Sequence, residues 1–145
     1  MIKKKIKLYY KKIVSKTFEN IHGKIFLKKN VSNLVDIFRV NDPFFRTYQN
    51  KKYYNYKVTN GRIFTDNNEN VAVIKNNTLI SRISFQQING KLMNAKYNSV
   101  LKKGTPSFLK KFSGTVVNLA QGGSGNNYFH FFFDIIPKIY LIQKN

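Results

Sequence analysis

Gly114-Thr115-Val116-Val117-Asn118-Leu119, then Gln121-Gly122-Gly123-Ser124-Gly125-Asn126, then Asn127-Tyr128-Phe129-His130-Phe131-Phe132-Phe133-Asp134-Ile135-Ile136-Pro137-Lys138-Ile139 form the stretch on which the fold turns. The first run is apolar and rich in β-branched residues, the pattern of a buried strand. The second is a glycine-rich loop. The third opens on an asparagine suited to capping a helix and stays largely apolar to about Lys144, so a helix is expected there, kinked at Pro137. Strand, glycine loop and helix in that order are the opening unit of a doubly wound domain, which places the chain in the α/β class.

The same stretch carries the candidate chemistry. Glycines let a backbone approach a ligand closely, and a helix N-terminus offers free N–H groups to an anion, so Gly122, Gly123 and Gly125 are candidate binding residues. Their spacing is not GxGxxG, and the loop has no Walker lysine. On the helix, at 100° per residue, Asn127, His130, Asp134 and Lys138 fall within about 80° of one another. Their neighbours are Phe131, Phe132, Phe133, Ile135, Ile136 and Ile139, and a helix apolar nearly all round belongs in a core. A polar stripe on it faces either a cleft or solvent, and the preceding glycine loop favours a cleft. His130 and Asp134 are four apart, within hydrogen-bonding reach, an arrangement that fixes an imidazole tautomer and raises its basicity.

Moving upstream, the region 59–91 reads as a meander of short strands. Asn60-Gly61, Asp66-Asn67-Asn68, Lys75-Asn76-Asn77 and Asn89-Gly90 are turn signals. Between them lie Arg62-Ile63-Phe64, the apolar Val71-Ala72-Val73-Ile74, and an alternating run from Leu79 to Phe85. Residues 96–111 read as a connector. Further upstream, Gly23 to Leu27 reads as a strand and Val31 to Val40 as a helix carrying Leu34, Val35 and Phe38. Asn41-Asp42-Pro43 is a turn. Lys51 to Lys57 interleaves lysine with tyrosine, either as an edge strand or as a surface that stacks bases and neutralises phosphates.

Met1 to Lys16 reads as a basic amphipathic helix, with Ile2, Ile6, Tyr9, Tyr10 and Ile13 on one face. That stripe either packs on its own domain or lies on an anionic membrane surface. The chain therefore divides into residues 1–20, a basic helix; 21–111, a mixed segment with short strands; and 112–145, the start of an α/β domain.

Composition narrows the function classes. The chain has 145 residues, a formal net charge of +20 and no cysteine, so disulfide scaffolds and thiolate metal sites are excluded. Hydrophobic residues at 42% suffice for a packed core. The 26 basic residues include 22 lysines and only 4 arginines, whereas recognition of phosphates and base edges leans on the arginine fork. Lysine, asparagine and isoleucine share A- and T-rich codons, so base composition accounts for part of the basicity. Phe129 to Ile142, the most apolar stretch, is interrupted by His130, Asp134, Pro137 and Lys138 and is too short and polar for a membrane span. The N-terminus lacks the apolar region of a signal peptide, so a cytoplasmic protein is expected, with peripheral contact at the inner face of the membrane as a further option.

The helix segment also resembles the signature Asn-Tyr-Tyr-His-Trp-Leu-x-Asp-x-Leu-Pro-Arg-Leu that opens the catalytic domain of family 61 glycosyltransferases. Asn127, Tyr128, His130, Asp134 and Pro137 match; Phe131 stands for the tryptophan and Lys138 for the arginine. The text from Asn60 to Asn67, followed by Val71 to Ile74, resembles the β-rich segment before that domain, so the likeness spans roughly residues 59–145. It implies a GT-B architecture, two Rossmann-like domains across a cleft. It also implies inverting sugar transfer from a nucleotide-sugar donor to a glycan acceptor without an obligatory metal or other cofactor, in capsular or other surface polysaccharide synthesis.

On this reading His130 is the general base and Asp134 orients it, while Gly122, Gly123, Gly125, Asn127, Tyr128 and Lys138 contact substrate. A single strand–helix unit cannot bury its own faces, so the chain is expected to be an N-terminal piece of the enzyme and inactive alone. The alternative is a basic protein without enzymatic activity that binds nucleic acid or a membrane surface. Specific nucleic-acid binding is disfavoured by the scarcity of arginine and the lack of a recognition motif.

Overall fold

The computed structural model describes residues 2–28, 32–40, 53–66, 70–119 and 128–143. It is mixed α/β, with a strand-rich sheet and few helices. The centre is β5 (Asn70–Lys75), whose residues Val71 to Ile74 are all buried. A strand covered on both faces reads as a continuous apolar run, which is why this segment stands out in the sequence.

β4 (Arg62–Asp66) pairs antiparallel with one edge of β5 along its length. The other edge is shared. β6 (Thr78–Leu79) takes its C-terminal end and β7 (Phe85–Ile88) its N-terminal end, both antiparallel. The alternation from Leu79 to Phe85 is thus not one strand, because a 3₁₀ turn at Ser81–Ile83 interrupts it. In the gap, Val73 N–H donates to Ser84 Oγ (3.0 Å) and Val73 O accepts from Ile80 N–H (2.8 Å). The interruption lets Leu79 and Ile80, both fully buried, enter the cores on opposite faces of the sheet.

β8 (Lys91–Asn94), which the sequence reading did not anticipate, pairs with β7. β1 (Phe26–Leu27) is shorter than expected and adds to β6 in parallel. The turns follow asparagine chemistry. Asn76 and Asn77 have φ of 48° and 55° between β5 and β6, and Asn89 and Gly90 have 50° and 76° between β7 and β8. Two consecutive positive φ values make the two-residue turn whose twist matches a hairpin. Beyond Asp66, the expected Asp66-Asn67-Asn68 turn lies outside the described residues, as do Asn41-Asp42-Pro43, Lys51 and Lys52.

One face of β5 presents Ala72 and Ile74 to Ile25, Leu79, Ala95 and Val100. The other presents Val71 and Val73 to Val35 and Ile80, with Tyr56 and Val58 packed alongside. The helix expected at Val31 to Val40 does not form over the described part. A 3₁₀ turn, Ser32–Leu34, leads into β2 (Asp36–Arg39), which pairs antiparallel with β3 (Tyr54–Lys57). Pairing with β3 and burial of Val35 against the sheet override the helical spacing, and β-branched Val35 and Ile37 fit that outcome. β3 itself matches the edge-strand reading of the lysine–tyrosine stretch.

α2 (Val100–Lys103) is tied to the sheet by a buried polar knot. The amide nitrogen of Asn98 lies 2.8 Å from Asn70 Oδ1, 3.1 Å from Val71 O and 2.8 Å from Phe85 O, and its Oδ1 accepts from Val100 N–H (3.1 Å). Asn70 in turn donates to Ser99 Oγ (2.6 Å), and Ser99 N–H donates to Gln86 Oε1 (3.1 Å). Buried polar groups satisfied this fully specify one arrangement of the segment over the sheet.

α1 (Ile2–His22) runs past the expected end, to Gly23. Gly23 has φ +79°, its N–H bonds Glu19 O (2.8 Å), and any side chain there would run into the Asn77 amide. The helix ends where a left-handed residue closes it. Among the described residues, no helix is long and apolar enough to cross a membrane.

Candidate functional site

The C-terminal helix begins as α3 (Tyr128–His130), passes through a π-helical stretch, Phe131–Ile135, and continues as α4 (Ile136–Gln143). The helix expected from Asn127 to Lys144 is therefore present over its described length. Pro137 has no N–H to offer the carbonyl four residues back, and the wider turn immediately before it accommodates that lost bond. Ile135 and Leu141 are buried, and Asn55 on β3 donates to Leu141 O (3.1 Å), satisfying a carbonyl of the last turn.

Asp134 and Lys138 are half-buried, one turn apart. Burial lowers the Lys138 pKa from its ordinary value, and the Asp134 charge acts in the opposite sense. The backbone of His130 is helical, and its side chain lies outside what is described, so the expected His130–Asp134 hydrogen bond has no geometry here. Gly122, Gly123, Gly125 and Asn127 also lie outside the described residues. Tyr128 is on the helix and 86% exposed.

The strand expected before the loop is absent. Gly114 to Leu119 has no regular structure, and Val116 is 58% exposed. A parallel strand forms only when neighbouring strands satisfy its backbone groups, and among the described residues neither sheet extends to this segment. The helix itself exposes Phe129, Phe131, Phe132 and Phe133. The Phe129 and Phe133 rings are 4.6 Å apart, and those of Phe131 and Phe132 are 5.7 Å apart, edge to face. An apolar surface this continuous marks a place where another element packs.

Two polar residues escaped the sequence reading. Asn98 is the hub of the knot described above; its only sequence signal is an asparagine just before a short helix. Arg62 reaches between α1 and the β5–β6 turn, with donors 3.5 Å from His22 O and from Asn77 Oδ1. Burial lowers its pKa, and its buried Nε has no hydrogen-bond partner among the described residues. A cation at a helix C-terminus complements the backbone dipole, so both residues serve architecture rather than chemistry. Among the described residues, no three His, Cys, Asp or Glu side chains are grouped to hold a metal ion. Compared with protein-family models, with curated proteins and with solved structures, the chain matches none.

Proposed function

We propose that the chain is the N-terminal part of a glycosyltransferase resembling family 61, which transfers a sugar from a nucleotide-sugar donor to a glycan acceptor in surface or capsular polysaccharide synthesis. The observation that carries this reading is the sequence pattern Asn127-Tyr128-x-His130-x-x-x-Asp134-x-x-Pro137-Lys138, which from Tyr128 onward lies on a helix, with Asp134 and Lys138 half-buried one turn apart. His130 acts as general base toward the acceptor hydroxyl and Asp134 orients its imidazole. Lys138, with Asn127, Tyr128, Gly122, Gly123 and Gly125, contacts substrate. The exposed phenylalanines are the surface on which the remainder of a Rossmann-like domain packs, and Gly114 to Leu119 becomes its first strand once neighbouring strands are supplied.

The test is sugar transfer by the chain extended with whatever coding sequence follows codon 145, assayed against a panel of nucleotide sugars and glycan acceptors. His130→Ala is expected to lower turnover by about 10²-fold or more, the scale of a lost general base, and Asp134→Asn by less. The 145-residue chain alone is expected to transfer nothing. Wild-type turnover in His130→Ala, or an extension that encodes no α/β domain, overturns the reading.

A further inference from the structure

α1 meets the rest of the protein along one face. Ser15 Oγ donates to Lys103 O (2.7 Å), Phe18 packs edge-on against Phe108 with ring centroids 5.2 Å apart, and His22 Nε2 donates to Ser107 O (3.0 Å). At 100° per residue, Val14, Ser15, Phe18 and His22 share this face, while Ile6, Tyr9, Tyr10 and Ile13 lie roughly 150° away. That second stripe is open to solvent: Ile6 is 63%, Tyr9 69% and Ile13 50% exposed. The sequence alone allowed the apolar stripe to be the one packed on the domain. The contacts come from the second half of α1 and lie on a different face, while residues 3–13 are exposed all round, the stripe among them.

We infer that this stripe is a docking surface for an anionic lipid bilayer. Three features choose that occupant. Lys5, Lys12 and Lys16 border the stripe on one side and Lys3 and Lys7 on the other, the layout of a helix lying in a membrane interface with its apolar side down. Their long stems can follow the apolar surface while the ammonium groups reach lipid phosphates. Tyr9 and Tyr10 supply rings suited to headgroup depth.

A nucleic acid would engage the lysines but leave Ile6 and Ile13 in water. A second copy would bring another helix with seven lysines and one acidic residue, Glu19, against the first, and like charges disfavour that pairing. The inference stands on α1 alone and is independent of the glycosyltransferase reading.

The chain has no tryptophan, so Tyr9→Trp in the full chain gives a single reporter at an exposed position. With vesicles of phosphatidylglycerol and phosphatidylcholine, its emission is expected to shift to the blue, with little change on phosphatidylcholine alone. Lys5→Gln/Lys12→Gln/Lys16→Gln is expected to weaken vesicle binding by about a hundredfold, and Ile6→Ser/Ile13→Ser by about tenfold or more. The Ile6→Ser/Ile13→Ser variant should keep wild-type affinity for a mixed-sequence DNA duplex. Unchanged vesicle affinity in that variant overturns the inference. So does equal weakening toward DNA and vesicles, or a blue emission without lipid that signals a stripe already covered.

Discussion

β5 and the C-terminal helix carry comparable apolar runs, Val71-Ala72-Val73-Ile74 and Phe131-Phe132-Phe133, and meet opposite fates. Every side chain of the first is buried, and all three phenylalanines of the second are exposed. The difference does not lie in hydrophobicity. β5 has a partner on each edge and a layer over each face, all drawn from residues 25–101. Among the described residues of the helix, Ile135 and Leu141 are buried, and Asn55 bonds the Leu141 carbonyl. An apolar run states what a segment needs, and only the surrounding chain determines whether the need is met.

That contrast predicts a gradient of mutational cost. Leu79→Ala, at a fully buried site facing β5, is expected to cost about 3–4 kcal/mol, a large share of the ~5–15 kcal/mol that stabilises a typical domain. Urea titration measures it, and a cost well below that range would mean the sheet is less tightly packed than the burial implies. Asn98→Ala should follow at about 2–3 kcal/mol, because it strands buried partners on Asn70, Val71 and Phe85 rather than merely deleting one bond. On the helix, Phe133→Ser should change stability by no more than about 0.5 kcal/mol while reducing light scattering on concentration. A cost at Phe133 approaching that at Leu79 would erase the contrast and show that the helix face is covered.

The smallest effect concerns pH. The Lys138 pKa is lowered in the fold, so the unfolded chain holds the proton over a range in which the folded chain has released it. Stability contributed by this group is therefore complete above the ordinary value of 10.5 and lost as pH falls through the lowered folded value. The difference in unfolding midpoint between wild type and Lys138→Met, followed upward from neutral pH, should shift in favour of wild type. A flat difference would place Lys138 in solvent.

Much of the sheet was legible in advance because turn chemistry is local. Asn60-Gly61, Asn76-Asn77 and Asn89-Gly90 mark turns where positive φ is needed, and asparagine and glycine tolerate it. The C-terminal helix was legible for the same reason, as was β5 from its apolar run. Three readings failed where a neighbour decides. Leu34, Val35 and Phe38 fit a helix by spacing, yet β3 recruits this segment as a strand. The alternation from Leu79 to Phe85 conceals a 3₁₀ turn that Ser84 makes tolerable by bonding to Val73. Gly114 to Leu119 has strand composition, and among the described residues neither sheet extends to it. Of the candidate site, spacing placed Asp134 and Lys138 on one stripe of a helix, because residues four apart are neighbours there; the His130 side chain and the glycine loop lie outside the described residues.

The sequence by itself determined the helices at both ends, most of the turns and the central strand, since these follow from residue conformational preference and from apolar patterning over a few positions. Tertiary structure alone decided which face of α1 is covered, how the far edge of β5 is divided between β6 and β7, and that Asn98 joins the buried Val100 in holding α2 to the sheet. The physical reason is range. Backbone preference acts within a turn or a strand, whereas burial and hydrogen-bond satisfaction depend on atoms that the fold brings in from distant parts of the chain.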